Sequence, residues 1–140
     1  MTAISTQELE KLMRDSAEDA KRFAKEEFSI ELDSSVGSIA DIDRLILLVR
    51  SEYEDSLHDS KLIFTVCNML GAYTGEVFRR FHGGQWVYDD SDPDAPAVFL
   101  SLGEFTFAFA GMVYQRLLND GMISIEKYYQ EAEKNAGKNH

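Results

Sequence analysis

The sequence has no long apolar run, almost no cysteine and few basic side chains, and each shortage excludes something. No run approaches the ~20 apolar residues that a bilayer-spanning helix needs. The single cysteine, Cys67, rules out an intramolecular disulfide. Three histidines, His58, His82 and His140, are too few for the multi-ligand site of a metal hydrolase. No charged-then-apolar leader opens the sequence. With the lack of disulfides, this sets the expectation of a cytoplasmic protein. Only 14 basic residues face 25 acidic ones, a net charge of −11. Repulsion then disfavours nucleic acid and anionic membranes as partners and favours a basic protein. Basic patches with interleaved aromatics are absent. So is a phosphate-cradling glycine loop, because Gly83-Gly84 follows a helical pattern whereas such loops precede one.

What is present suits one domain. The chain has 140 residues, 44% of them apolar and 28% charged. At this size a chain buries roughly two-thirds of its unfolded surface and builds a core without staples.

Helical periodicity dominates the first half. Ser5-Thr6-Gln7-Glu8 reads as a capping box, with Ile4 placed to staple onto Leu9. Leu9, Leu12, Met13, Ala17, Ala20, Phe23, Ala24 and Phe28 then recur at helical spacing, predicting a helix over about residues 6–27. The alternating segment 29–33 reads as an extended link or an edge strand. A second helix follows over about 38–53, its stripe widened by Leu47 and Leu48. The strongest pattern runs over 60–81 on Leu62, Val66, Leu70, Tyr73, Val77 and Phe81, and predicts a central helix ended by Gly83-Gly84.

The period then changes. Residues 85–88, 97–102 and 105–109 read as strands. A turn-rich acidic segment, 89–96, separates the first two, and Gly103-Glu104 turns between the last two. Two helices close the chain, over about 109–119, stopped by Asn119-Asp120-Gly121, and over about 125–135, capped by Ser124. The order of helices, strands and helices predicts an α+β fold of about five helices around a small two- to three-stranded antiparallel sheet.

Several residues form a spaced pattern. Leu32-Asp33-x-Ser35-x-x-Ser38-Ile39-x-x-Ile42-Asp43 is followed by Gly71-x-Tyr73-x-Gly75-Glu76, by Gly83-Gly84-x-Trp86, by Arg116 and by Tyr128-Tyr129. The pattern resembles a family of small bacterial domains of unknown function, over about residues 28–130. The resemblance implies the fold and no activity.

Candidate chemistry is sparse. His58-Asp59 is a pair found in metal phosphohydrolases, but without the further ligands it reads as a polar turn. Asp89, Asp90, Asp92 and Asp94 offer oxygen ligands. Counted from Asp90, however, the sixth and twelfth positions are Ala95 and Ser101, where a calcium loop needs Gly and Glu. Cys67 lies beside the apolar stripe and reads as a small buried hydrophobe. Glu76, Arg79 and Arg80 share a helix face with Tyr73 one turn earlier. They can bind an anionic ligand or form an intrahelical ion pair at a helix C-terminus. Gly71 and Gly75, each costing about 1 kcal/mol inside a helix relative to Ala, imply close approach of another element.

These readings predict no catalytic residue, metal or cofactor. They predict a non-catalytic acidic protein-binding module, in its sharpest form an immunity-type protein that neutralises a basic toxin domain. Asp41, Glu52, Glu54, Asp55, Asp89, Asp90, Asp92 and Asp94 are the expected contact residues. The alternatives are a small-ligand or regulatory domain on the Tyr73, Glu76, Arg79, Arg80 face, a chaperone of secreted effectors, and an enzyme of unrecognised type.

Overall fold

A computed structural model of the chain describes residues 4–91, 97–118 and 124–138. Asp92, Asp94, the expected stop at 119–121 and His140 lie outside the described residues.

The first helix, α1 (Thr6–Phe28), begins where the Ser5 hydroxyl accepts the Glu8 N–H at 3.1 Å. It ends at Ser29, which is left-handed (φ 56°), and the Ile30 N–H folds back to the Ala24 carbonyl at 3.0 Å. Residues 29–33 form a link and no strand, though Ile30 and Leu32 are both buried. A one-turn 3-10 helix (Val36–Ser38) leads into α2 (Ile39–Glu52). Ile39, Ile42, Leu45, Ile46 and Val49 are buried there, but Leu47, expected to widen the stripe inward, is 49% exposed.

The central helix, α3 (Ser60–His82), starts at Asp59, whose carboxylate accepts the Lys61 and Leu62 N–H groups. It packs against α1 and, on other sides, against the helices that follow the sheet. Twelve of its residues are buried, as befits a helix covered on more than one side. Gly83, at φ 83°, ends it, and its N–H bonds the Arg79 carbonyl at 2.9 Å.

The sheet has three antiparallel strands in sequence order: β1 (Gln85–Asp89), β2 (Ala97–Leu102) and β3 (Phe105–Phe107). Trp86 pairs with Leu100, and Leu100 with Phe107, so these three buried side chains share one face. The third strand stops at Phe107, short of the expected 109. The Ala108 N–H goes to the Tyr128 hydroxyl at 3.1 Å, while the Ala108 carbonyl accepts from Met112 as the next helix begins.

That helix is α4 (Phe109–Leu118), and α5 (Ile125–Lys138) closes the chain. Phe78 of α3 anchors an aromatic cluster, with ring centroids 5.1 Å from Phe107, 5.8 Å from Phe109 and 5.7 Å from Tyr129. The fold is therefore α+β, with five helices and a three-stranded antiparallel sheet among the described residues.

Candidate functional site

The helix face of Tyr73, Glu76, Arg79 and Arg80 turns out to be engaged in holding the fold. The Tyr73 hydroxyl meets the Ser38 hydroxyl at 2.6 Å and accepts the Ser34 N–H at 2.9 Å. Burial pushes its phenol pKa up. One Glu76 oxygen accepts both the Trp86 indole N–H and an Arg79 N–H, each at 2.9 Å. Arg79 donates further to the Gly84 carbonyl at 3.2 Å and lies 3.6 Å from Glu10 of α1. Arg80 reaches the Ser34 carbonyl at 3.4 Å and its guanidinium sits 5.4 Å from the centroid of the Phe81 ring.

A small cavity of about 230 Å³ lies beside this group, lined by Arg14, Lys21 and Arg80 together with Glu18, Glu76 and Tyr73. Arg79 does not line it. The three cations share the space with two carboxylates.

The other residues of the spaced pattern are likewise architectural. The Asp33 carboxylate accepts both the hydroxyl and the N–H of Ser35, which holds its pKa below the usual carboxylate range. The Ser35 hydroxyl accepts the Ser38 N–H at 3.2 Å. A Cβ on Gly71 would lie 2.5 Å from the Ala110 Cα, so α4 makes the close approach that the glycine implied. Asp43 of α2 accepts the Ile125 and Glu126 N–H groups at 2.8 and 2.9 Å, capping α5 from another helix, and Arg116 stands 3.7 Å from it.

Cys67 is 6% exposed, and burial pushes its thiol up to about 12, which keeps it protonated and unreactive. His58 and Asp59 precede α3, where Asp59 serves as its cap. Among the described residues no three of His, Cys, Asp or Glu converge as metal ligands. No described helix is long and apolar enough to cross a membrane.

A concave surface larger than that cavity was not expected. A groove of about 950 Å³ runs between α1, the first half of α3 and the hairpin of β1 and β2; Leu9, Leu12, Met13, Phe23, Met69 and Val98 supply its apolar lining. A second groove, of about 680 Å³, lies on the other side of Phe64, between α3, β2 and α4, with Ile63, Phe99 and Tyr114 in its walls. Phe64, Asn68, Tyr88 and Val98 belong to both, so the two form one surface divided by a ridge.

Phe64 forms that ridge at 68% exposure, the highest of any large apolar side chain among the described residues. Leu12, Tyr88, Tyr114 and Leu118, each 41–50% exposed, line the same surface. Scattered exposed apolar residues need no explanation; a contiguous group rimmed by charge marks an interaction surface.

The rim is acidic. Asp19, Glu26, Glu27 and Asp90 line the larger groove against one cation, Arg22, which already pairs with Asp19 at 2.9 Å. Of the expected acidic residues, Asp90 is on this rim and Asp89 ends the adjoining strand, its carboxylate bound to the Ser91 N–H. Glu54 and Asp55 form a one-turn 3-10 helix just before Leu57, which lines the second groove. Asp41 and Glu52 are on α2 and line neither groove.

Sequence reasoning missed Phe64 because it does not fall on the apolar stripe of α3. That displacement is itself the available signal: an aromatic two residues after Leu62 stands away from the buried face. Comparison of the chain with protein-family models, with curated proteins and with solved structures finds no match.

Proposed function

We propose that this chain is a non-catalytic, acidic protein-binding module, and that its sharpest form is a cytoplasmic immunity-type protein neutralising a basic toxin domain. The observation that carries the reading is the exposed apolar surface around Phe64, rimmed by Asp19, Glu26, Glu27 and Asp90. Apolar side chains at the centre with charge at the edge is the anatomy of a protein interface. The net charge of −11 adds attraction for a basic partner and speeds encounter at low salt. The test is co-expression with the product of the neighbouring reading frame. Growth rescue and co-purification of a stoichiometric complex are expected. A neighbouring product that is neither toxic nor retained on the immobilised chain overturns the immunity reading.

The cavity lined by Arg14, Lys21 and Arg80 favours a second reading, a small anionic ligand held beside Tyr73. Calorimetry with inorganic phosphate and simple carboxylates tests it. Heats unchanged in Arg14→Ala and Arg80→Ala would set it aside.

A further inference from the structure

We infer that the surface divided by Phe64 receives an amphipathic helix of a partner, with its apolar face on the grooves and lysine or arginine along its edges. The inference rests on the protein-binding reading and specifies the binding element.

Three features select this occupant. The first is shape. The larger groove follows α1 from Leu9 to Glu27, about 27 Å at about 1.5 Å per residue. That length matches a partner helix of about 18 residues. Long stretches of the walls are the side chains of α1, α3 and α4, whose backbone N–H groups are spent within their own helices. Outside β1, the edge strand of the sheet, a docked strand would find little backbone there to pair with, whereas a helix engages such a groove through side chains at i, i+3, i+4 and i+7.

The second is the ridge. Phe64 stands between two apolar depressions, so side chains on successive turns of a helix can seat on either side of it. An exposed aromatic at the centre of a surface is the usual energetic anchor of an interface.

The third is charge. The larger groove carries four carboxylates and one guanidinium, and Glu26 and Asp90 make no ion pair with any described residue. A second copy of this chain would bring the same carboxylates against their own kind, with −11 on each chain. A free fatty acid or an anionic lipid meets the same repulsion. Basic edges on an apolar helix satisfy the rim.

The test uses three fluorescein-labelled 18-residue peptides: an amphipathic Leu/Lys helix, its Leu/Glu counterpart, and a Lys/Ser peptide of the same charge without the apolar face. Anisotropy is read against the whole chain, wild type and two variants, Phe64→Ser and Leu47→Ser. Leu47 is similarly placed as an exposed apolar residue, but on α2 and outside both grooves. Thermal melts verify that both variants fold, and Tyr88→Ser replaces Phe64→Ser should the latter not.

The Leu/Lys peptide should bind and gain helical circular dichroism. Phe64→Ser should weaken it at least tenfold, about 1.4 kcal/mol, and Leu47→Ser by less than twofold. The Leu/Glu peptide should not bind, and the Lys/Ser peptide should bind weakly and without regard to Phe64. Equal affinity in the two variants overturns the groove as the docking site but leaves the protein-binding reading standing, because that reading is decided by the neighbouring gene product. Equal binding of the Leu/Glu peptide overturns the basic-edged occupant. A sedimenting dimer that Phe64→Ser dissociates assigns the surface to a second copy and also overturns the inference.

Discussion

Gly75 and Trp86 fit so closely that a Cβ on Gly75 would overlap the edge of the indole at Cη2 and Cζ2. The same indole donates its N–H to Glu76, the next residue of α3, at 2.9 Å. One helical turn thus fixes the ring by shape and by hydrogen bond, and with it the position of β1 on α3. Because β1 carries Tyr88 and leads to Asp90, this joint also sets one wall of the groove.

Gly75→Ala should therefore destabilise the fold, against helix propensity. Removing an interior glycine gains about 1 kcal/mol, but forcing a methyl into a packed ring costs about 1–3 kcal/mol or more. Trp86 is the sole tryptophan and is 4% exposed, so its emission reports the joint directly. Urea titration should show a lower midpoint with emission shifted to the red. In a Trp86→Leu background the same substitution should cost less, and equal cost in both backgrounds would deny the coupling.

This joint was partly legible in the sequence, because two glycines within a strong helical pattern demand a close neighbour. Which neighbour was not legible, since nothing local tells Ala110 from Trp86. The caps at Ser5 and Ser124 were readable for the same local reason: a hydroxyl at the start of a periodic run has one obvious N–H to accept. Asp43 was not readable as the cap of α5, since it reaches residues more than eighty positions away. Leu12 and Leu47 show another limit. Periodicity places Leu12 on the apolar stripe of α1 and Leu47 at the widened edge of that of α2, but the packing of neighbouring helices decides how wide each stripe is, and both are half exposed. The grooves on either side of Phe64 follow from the same tertiary arrangement; local pattern shows only that Phe64 stands off the buried stripe of α3.

Tyr73→Phe should cost about 1–3 kcal/mol, because it leaves the Ser34 N–H without its acceptor and takes one of the two partners of the buried Ser38 hydroxyl, which keeps its bond to the Ser35 carbonyl. The loss should localise. Hydrogen exchange at the Ser34 amide should accelerate well before that of the α3 core. Uniform acceleration across the chain would mean that the hydroxyl does not pin this turn.

Asp43→Ala should remove the cap of α5 at about 0.5–2 kcal/mol, and it also leaves the Arg116 guanidinium without its carboxylate. Asp43→Asn keeps one oxygen acceptor and should cost less. The amides of Ile125 and Glu126 should lose protection in the alanine variant first. If they stay protected, Ser124 alone suffices as the cap.

The Cys67 thiol gives the chain a pH dependence with a defined sign. Its pKa is pushed up to about 12 by burial, from an ordinary value of 9.0. Between these values the unfolded chain releases the thiol proton while the folded chain keeps it. The unfolded state then binds fewer protons, so stability falls as pH rises. The contribution is intact below pH 9.0 and is lost progressively up to about 12. Tyrosines titrate nearby, so the measurement is a difference: denaturation midpoints of wild type and Cys67→Ala at pH 8 and pH 10.5. The wild type should lose more stability over this interval. At pH 8 the thiol should react with a disulfide reagent only in denaturant, at the rate of a free cysteine. Rapid reaction in the native protein would place Cys67 in solvent at the floor of the second groove and remove the buried wall that this surface requires.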